Sequence, residues 1–143
     1  MLRNFMGKRV PLESKTIGQL KKILDKEVSI FVRNHWSSDG ENVACFTCGV
    51  VKPIKSMHCG HWIPRNISPT RYEVELGNLR PQCVICNTFK AGMPHEFRRR
   101  LLDDVGAEAV ATLEEMARET HKYFKPDLLE QINHYREKNK QWT

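Results

Sequence analysis

Two Cys-x2-Cys pairs, CFTC at residues 45–48 and CVIC at residues 83–86, decide the fold of this chain. Two residues between paired cysteines allow both sulfur atoms to reach one ion, and four thiolates about 2.3 Å from it form a tetrahedral structural Zn²⁺ site. We therefore predict that Cys45, Cys48, Cys83 and Cys86 bind one Zn²⁺. Free or redox-active thiols are the alternative, but a redox pair requires a thioredoxin-like βαβ context that this turn-rich segment lacks.

The composition indicates an ordinary soluble chain rather than a secreted or membrane protein. It has 143 residues, which suits one domain or a small core with helical extensions. Its five cysteines are an odd number, and the first residues lack the apolar stretch of a secretory signal, so a disulfide framework is not expected. No stretch approaches the roughly 18 apolar residues of a membrane helix. We expect no contact with a membrane.

The positive charge is concentrated in the segment that holds the cysteines. Residues 45–100 have a net charge of +6, whereas residues 1–44 have +3 and residues 101–143 have −3. A basic surface beside a metal site is typical of proteins that bind nucleic acids or act on phosphates. Solvated lysines and arginines that only keep the protein soluble are the other interpretation.

Hydrophobic periodicity and turn residues predict an α+β fold. A knuckle, a hairpin and a helix that carries the second cysteine pair form a zinc-braced treble clef, flanked by N- and C-terminal α-helices. We divide the chain into an N-terminal arm and helix (1–44), a zinc-binding core (45–92) and a C-terminal helical extension (93–143). The predicted elements are a helix at 16–36, strands near 57–63 and 79–82, a short helix from Cys83 that stops before Gly92, and helices at 95–105, around 110–116 and after Pro126.

A structural zinc site does not explain several residues between and after the cysteine pairs. His61 lies in the first predicted strand, and Asn87 lies one helical turn beyond Cys83, so the two side chains could face each other. A neutral histidine can take a proton from water at neutral pH, and an amide oxygen suits a hard ion such as Mg²⁺. Structural roles, a histidine in the core and a backbone-capping asparagine, remain the alternatives.

The order of these motifs resembles that of the HNH, or His-Me finger, endonucleases, which have a ββα-metal core. More closely, CGHWIPR (59–65), TRYEVELGNLRPQC (70–83) and CNTFKAG (86–92) resemble the lambdoid-phage Rap (NinG) recombination nucleases. The likeness covers about residues 45–102, and the zinc-braced core is also similar to that of the phage resolvase endonuclease VII.

This resemblance implies a metal-dependent, structure-specific endonuclease that cleaves branched DNA, such as Holliday junctions and D-loops, during phage recombination. It implies that His61 is the general base that activates water, that Asn78 braces the hairpin loop, and that Asn87 binds a catalytic Mg²⁺ or Mn²⁺. The expected products carry 5′-phosphate and 3′-hydroxyl ends. A phage-encoded or prophage-encoded protein in the cytoplasm of a bacterial host is also implied, and cysteines that form no disulfide framework agree with that location.

One position departs from the family pattern. Many HNH enzymes have Asp or His directly before the base, as a second metal ligand, but this chain has Gly60. Because glycine has no side chain, the ion must use another group, or water and DNA phosphate. The candidates in the sequence are His58, Cys59, Glu73 and Glu75.

The basic residues near the motif are the expected contacts to DNA phosphates, and arginine is preferred because it can bind a phosphate with two hydrogen bonds. No motif that reads bases is present, so we expect recognition of DNA shape. Two cuts are needed to resolve a four-way junction, which predicts a homodimer, with the acidic C-terminal helices as a possible contact. The expected phosphate contacts are Arg65, Arg71, Lys90, Arg98, Arg99 and Arg100.

Two alternative functions remain. A non-catalytic zinc-finger module that binds DNA or RNA would keep the cysteines and the basic field but give His61 and Asn87 no chemical role. A sequence-specific HNH nuclease is the other, and it is ranked lower because 143 residues show no additional recognition domain.

Overall fold

A computed structural model describes residues 10–142 and begins with one long helix, α1 (Ile17–His35). Thr16 caps its N-terminus: the Thr16 hydroxyl accepts a hydrogen bond from the Gln19 amide, and the Gln19 side chain accepts one from the Thr16 amide. The predicted helix at 16–36 is therefore confirmed. The predicted N-terminal arm lies mostly outside the described residues, and Leu12–Ser14 forms a single 3₁₀ turn.

Two antiparallel hairpins follow α1. The first pairs β1 (Asn42–Ala44) with β2 (Val51–Pro53), and the first cysteine pair lies in the turn between them. The second pairs β3 (His58–His61) with β4 (Leu79–Gln82) and confirms both predicted strands. The first hairpin was not predicted, because three-residue strands that flank a metal knuckle show no alternating hydrophobic pattern.

The segment after β4 forms the predicted short helical element, but its geometry is unusual. Residues Ile85–Phe89 form a π-helix, and Gly92 then adopts a positive φ of 83°. Ala91 and Met93 also have positive φ values, 52° and 50°, which non-glycine residues adopt rarely. The chain turns sharply here, so that the Gly92 amide donates to the carbonyl of Cys86. The turn separates the metal-binding segment from the C-terminal helices.

Three helices complete the chain: α2 (Pro94–Asp104), α3 (Ala107–Met116) and α4 (Lys125–Asn139). They confirm the three predicted C-terminal helices, and proline occupies the first turn of α2 and α4. The largest hydrophobic cluster joins α1 to α4 across nearly the whole length of the chain, with Val74 and Leu79 beneath them. Its fully buried members on the two helices are Leu20, Leu24, Val28, Val32, Leu128 and Ile132.

The structure is thus a mixed α+β fold, as predicted, and residues 10–142 contain two small two-stranded sheets. α1 also packs against β3 and β4, so the N-terminal helix forms one wall of the central segment. The apolar face of α4 packs inside the chain against α1, and the predicted homodimer through the acidic C-terminal helices stays a prediction. Between residues 10 and 142, no helix combines the length and apolar character required to cross a membrane.

Candidate functional site

The four paired cysteines converge at one point, as their spacing predicts. Their sulfur atoms all lie within 4.8 Å of one another, and the Sγ atoms of Cys48 and Cys83 are 3.8 Å apart. A tetrahedron of sulfur atoms about 2.3 Å from a central ion has edges of about 3.8 Å. The cluster can therefore hold a metal ion such as Zn²⁺. Within residues 10–142 it is the only group of three or more His, Cys, Asp or Glu side chains with this capacity.

Local structure prepares this cluster for a cation. Gly49 follows the first pair with a φ of 79°, the left-handed conformation that the tight knuckle turn requires. Burial raises the pKa of the Cys45 thiol, but hydrogen bonds from the Thr47 hydroxyl and backbone amides outweigh burial and lower that pKa to about 6. Burial raises the pKa of Cys86 to about 12, and the neighbouring sulfurs of Cys83, Cys48 and Cys45 act in the same direction. A bound cation would stabilise all four thiolates.

A cleft beside the cluster contains His61 and Asn87, which the sequence singles out. It consists of two adjoining hollows of about 280 and 490 Å³, and both are lined by Cys59, His61, Arg65 and Asn87. The smaller hollow is closed on one side by α1. The larger opens toward Ala91, Gly92 and Pro94. The structure therefore brings the proposed base and the proposed metal ligand to the same cleft.

His61 is held as a neutral imidazole. Its Nε2 atom lies 3.1 Å from the backbone carbonyl oxygen of Arg71, and a carbonyl can only accept, so Nε2 carries the proton and donates. Nδ1 keeps its lone pair and has no hydrogen-bond partner in the described part of the chain. Burial lowers the pKa of His61 below its usual 6.5, and the nearby Arg65 and Arg71 charges act in the same direction. The imidazole is therefore uncharged at neutral pH.

Asn78 ties together the loop that leaves β3. The side chain is fully buried, and its amide donates to the carbonyls of Ile63 and Thr70 while its oxygen accepts from the Ile63 amide at 2.8 Å. Because this loop carries the Arg71 carbonyl that binds His61, Asn78 supports the orientation of the imidazole indirectly.

Asn87 contacts His58 rather than His61. Its side-chain amide lies 3.0 Å from Nδ1 of His58 at the start of β3. The backbone amide of Asn87 donates to the carbonyl of Cys83, which places Asn87 one turn beyond Cys83, as predicted.

Packing explains the glycine that departs from the family pattern. A Cβ atom added to Gly60 would lie only 1.9 Å from the side-chain oxygen of Gln82. Gln82 is fully buried and donates hydrogen bonds to the Thr47 hydroxyl and to the Gly92 carbonyl. An aspartate or histidine at position 60 is therefore incompatible with this arrangement of Gln82.

The predicted phosphate contacts differ in their environments. Arg65 is largely exposed at the rim of the cleft, 3.9 Å from Asp25, and the Lys90 side chain is exposed. Arg71 is mostly buried and binds the carboxylate of Asp25 through two hydrogen bonds, so its guanidinium group is already occupied. The arginines of α2 also form ion pairs: Arg98 pairs with Glu114, and Arg99 and Arg100 pair with Glu96.

Nearly the whole chain matches the model of a known protein family. The family model described as "Bacteriophage Lambda NinG protein" matches residues 7–143, nearly the whole chain. The chain belongs to the NinG family. Searches of curated proteins and of solved structures find no match. The NinG match also extends over α1, α3 and α4, which the motif resemblance at residues 45–102 does not reach.

The sequence analysis did not predict that α1 contributes to the cleft. Asp25, Ser29 and Arg33 line the smaller hollow, and Arg33 donates to the Ile54 carbonyl below the first hairpin. These three residues are spaced four apart, so they form one polar stripe beside the apolar face of α1. That stripe is the signal in the sequence from which a polar contact on this helix could be predicted.

Proposed function

We propose that this NinG-family chain is a metal-dependent HNH endonuclease, with a treble-clef ββα-metal core, that cleaves branched DNA in phage recombination. The observation that carries the proposal is the cleft where a neutral His61 and Asn87 lie together beside the zinc-binding cluster. A purely structural zinc module has no need for a half-buried neutral imidazole that lines a cleft with one nitrogen free.

In this proposal His61 is the general base. Because Nε2 donates to the Arg71 carbonyl, Nδ1 is the atom that can accept a proton from water. The water oxygen then attacks a backbone phosphorus in line with the leaving 3′ oxygen. The lowered pKa keeps the imidazole in the proton-accepting form at neutral pH.

The divalent cation is assigned partly to Asn87, whose amide oxygen is the type of ligand that hard cations take. A Mg²⁺ or Mn²⁺ bound there would neutralise charge that develops on the phosphate and on the leaving oxygen. The protein itself supplies one wall of the cleft from α1, where Asp25, Ser29 and Arg33 line the smaller hollow.

Phosphate binding is assigned first to Arg65 and Lys90, since both are exposed and Arg65 lies at the rim of the cleft. The α2 arginines, 98–100, are secondary contacts because neighbouring glutamates already offset their charge. Contacts of this kind read the DNA backbone rather than the bases, which favours recognition of branched shape. A homodimer would supply the two cuts that a junction requires.

The test is cleavage of a panel of linear duplex, flap, D-loop and Holliday-junction substrates with Mg²⁺ or Mn²⁺ and with EDTA. We expect metal-dependent cleavage of branched DNA in preference to the linear duplex. The substitution His61→Ala should lower the cleavage rate about 10²–10⁴-fold, because general-base catalysis contributes that much. DNA binding should be retained. Wild-type rates in His61→Ala would contradict the assignment.

The pH dependence provides a second measurement on the same protein. Since His61 must be neutral to accept a proton and its pKa is lowered, the cleavage rate should stay high down to a pH below 6.5 before it falls. His95→Ala, which removes an exposed histidine, is the matched control and should leave the profile unchanged.

A non-catalytic zinc module is the second candidate, and Gly60 is the observation that favours it. Binding of branched DNA without cleavage, with either metal and at any pH, would support that function instead.

A further inference from the structure

The cleft contains a pair of side chains with the geometry of a cation site. The Nδ1 atom of His58 and the side-chain amide of Asn87 are 3.0 Å apart. Two ligands that bind one octahedral ion at right angles, each about 2.1 Å from it, are about 3.0 Å apart. Without a cation, the amide nitrogen of Asn87 donates to Nδ1. Rotation of the amide by half a turn would place its oxygen in the same position.

We propose that His58 is the second protein ligand of the divalent cation, in place of the residue that Gly60 cannot supply, and that the site prefers Mn²⁺ to Mg²⁺. The assignment of this cation to catalysis rests on the proposed function. The geometry of the His58–Asn87 pair does not.

The fold explains why a second ligand would come from position 58 rather than from position 60. Gly60 is held without a side chain by the buried Gln82, so its strand position is closed to a ligand. His58 lies two residues earlier on β3, beside the π-helix that carries Asn87. A ligand can therefore reach Asn87 from the same strand without any change in the packing around Gln82.

The other candidates lie in less suitable places. Cys59 lines both hollows, but it also packs against the hydrophobic cluster between α1 and α4, and a soft thiolate ligand suits neither Mg²⁺ nor Mn²⁺. The carboxylates of Glu73 and Glu75 do not line either hollow of the cleft. Asp25 does line the smaller hollow, but its two oxygen atoms bind Arg71. His58 is the candidate whose nitrogen lies 3.0 Å from the side chain of Asn87, the separation expected for two ligands of one ion.

The ligand types indicate which metal is preferred. Mg²⁺ is a hard cation that takes oxygen ligands, whereas imidazole nitrogen binds transition metals. One nitrogen and one amide oxygen therefore favour Mn²⁺ over Mg²⁺. Only two protein ligands are present, so water and a DNA phosphate would complete the coordination.

The experiment measures Mn²⁺ binding to the zinc-loaded full-length protein by electron paramagnetic resonance, with ¹⁴N coupling as the sign of a directly bound imidazole. We expect ¹⁴N coupling in the wild type, in His61→Ala and in the surface control His95→Ala. The coupling should be lost in His58→Ala, with at least about tenfold weaker binding, because loss of an outer-shell partner alone costs about 10–100-fold.

His58→Asp is the second variant, because a carboxylate Oδ1 is as many bonds from Cβ as the Nδ1 of histidine. It should retain Mn²⁺, show no ¹⁴N coupling, and bind Mg²⁺ more tightly than the wild type does. Zinc content and thermal unfolding show that each variant is folded. Retained coupling in His58→Ala, or none in the wild type, would overturn the proposal.

The two proposals fail in different ways. If Mn²⁺ binds through His58 but no branched DNA is cleaved, the metal site stands and the endonuclease function is wrong. If branched DNA is cleaved and His58→Ala changes neither the rate nor Mn²⁺ affinity, the nuclease stands and the ligand assignment is wrong.

Discussion

At the scale of single residues, the position that departs from the family pattern has a structural cause. Gly60 has no side chain because Gln82 fills the space beside it, and Gln82 in turn bonds Thr47 in the knuckle and Gly92 in the left-handed turn. One buried amide thus connects β4 to both sides of the metal-binding segment. A departure in the sequence that suggests a missing ligand is, in the structure, a requirement of packing.

We expect Gly60→Ala to lower the free energy of unfolding by roughly 1–3 kcal/mol, the usual cost of overpacking a core. The reason is that the new methyl group would displace Gln82 from its hydrogen bonds. Thermal or urea unfolding of the zinc-loaded protein measures the change.

A double-mutant cycle tests the cause of this loss. In a Gln82→Ala background the same Gly60→Ala change should cost less, because the side chain it strikes is gone. Equal costs in the two backgrounds would show that Gln82 is not responsible.

At the scale of elements, α1 is part of the cleft as well as part of the core. Its apolar face packs against α4, and its polar stripe brings Asp25 to the loop after β3. Asp25 binds the Arg71 side chain, and the Arg71 carbonyl accepts from His61. The helix thus positions the imidazole through two links, although it lies outside the predicted zinc-binding core.

Asp25 is therefore a positioning residue, and if the proposed nuclease function holds we expect Asp25→Asn to lower kcat more than it changes KM, because the two Asp25 oxygens bind the Arg71 side chain. The negative charge of Asp25 raises the pKa of His61, so its removal should lower that pKa further. NMR titration of His61 and the pH profile of cleavage measure both effects. Asp103→Asn, on an exposed side chain, is the matched control. An unchanged His61 pKa would contradict this role.

At the scale of the whole molecule, the ends of the chain stabilise the centre. α1 and α4 form the largest buried cluster, and Asn139 near the C-terminus donates to the Glu27 carbonyl on α1. The division into three segments stays a prediction, but the first and third segments pack on each other and on the second hairpin. The NinG family model also spans both ends of the chain, since it matches residues 7–143.

Ile132→Ala should lower the free energy of unfolding by about 2–5 kcal/mol, because Ile132 is fully buried in this cluster and its loss leaves a cavity. Ile85→Ala removes the same atoms from a side chain that is 48% exposed, and it should cost much less. Denaturant unfolding of both variants makes the comparison. Similar losses would show that the α1–α4 contact is not a main source of stability.

Much of the fold follows from local features of the sequence. The CxxC spacing predicted that the four cysteines meet at one site, and the apolar repeat predicted α1. Glycine and proline indicated where the later helices begin and end. Each of these signals acts over a few residues, where covalent geometry and helical periodicity limit the chain. The short first hairpin and the π-helix were beyond such signals, because they depend on the knuckle turn and on the close packing of residues 91–93.

The residue types and their spacing in the sequence indicate which side chains could form a metal site and a general base. The arrangement of those side chains depends on the tertiary structure. Asp25 and Arg71 are 46 residues apart in the chain, and His58 and Asn87 are 29 apart. Contacts over such distances depend on how α1, the second hairpin and the π-helix pack together. No periodicity or spacing encodes that packing, because it results from the burial of apolar surface across the whole chain.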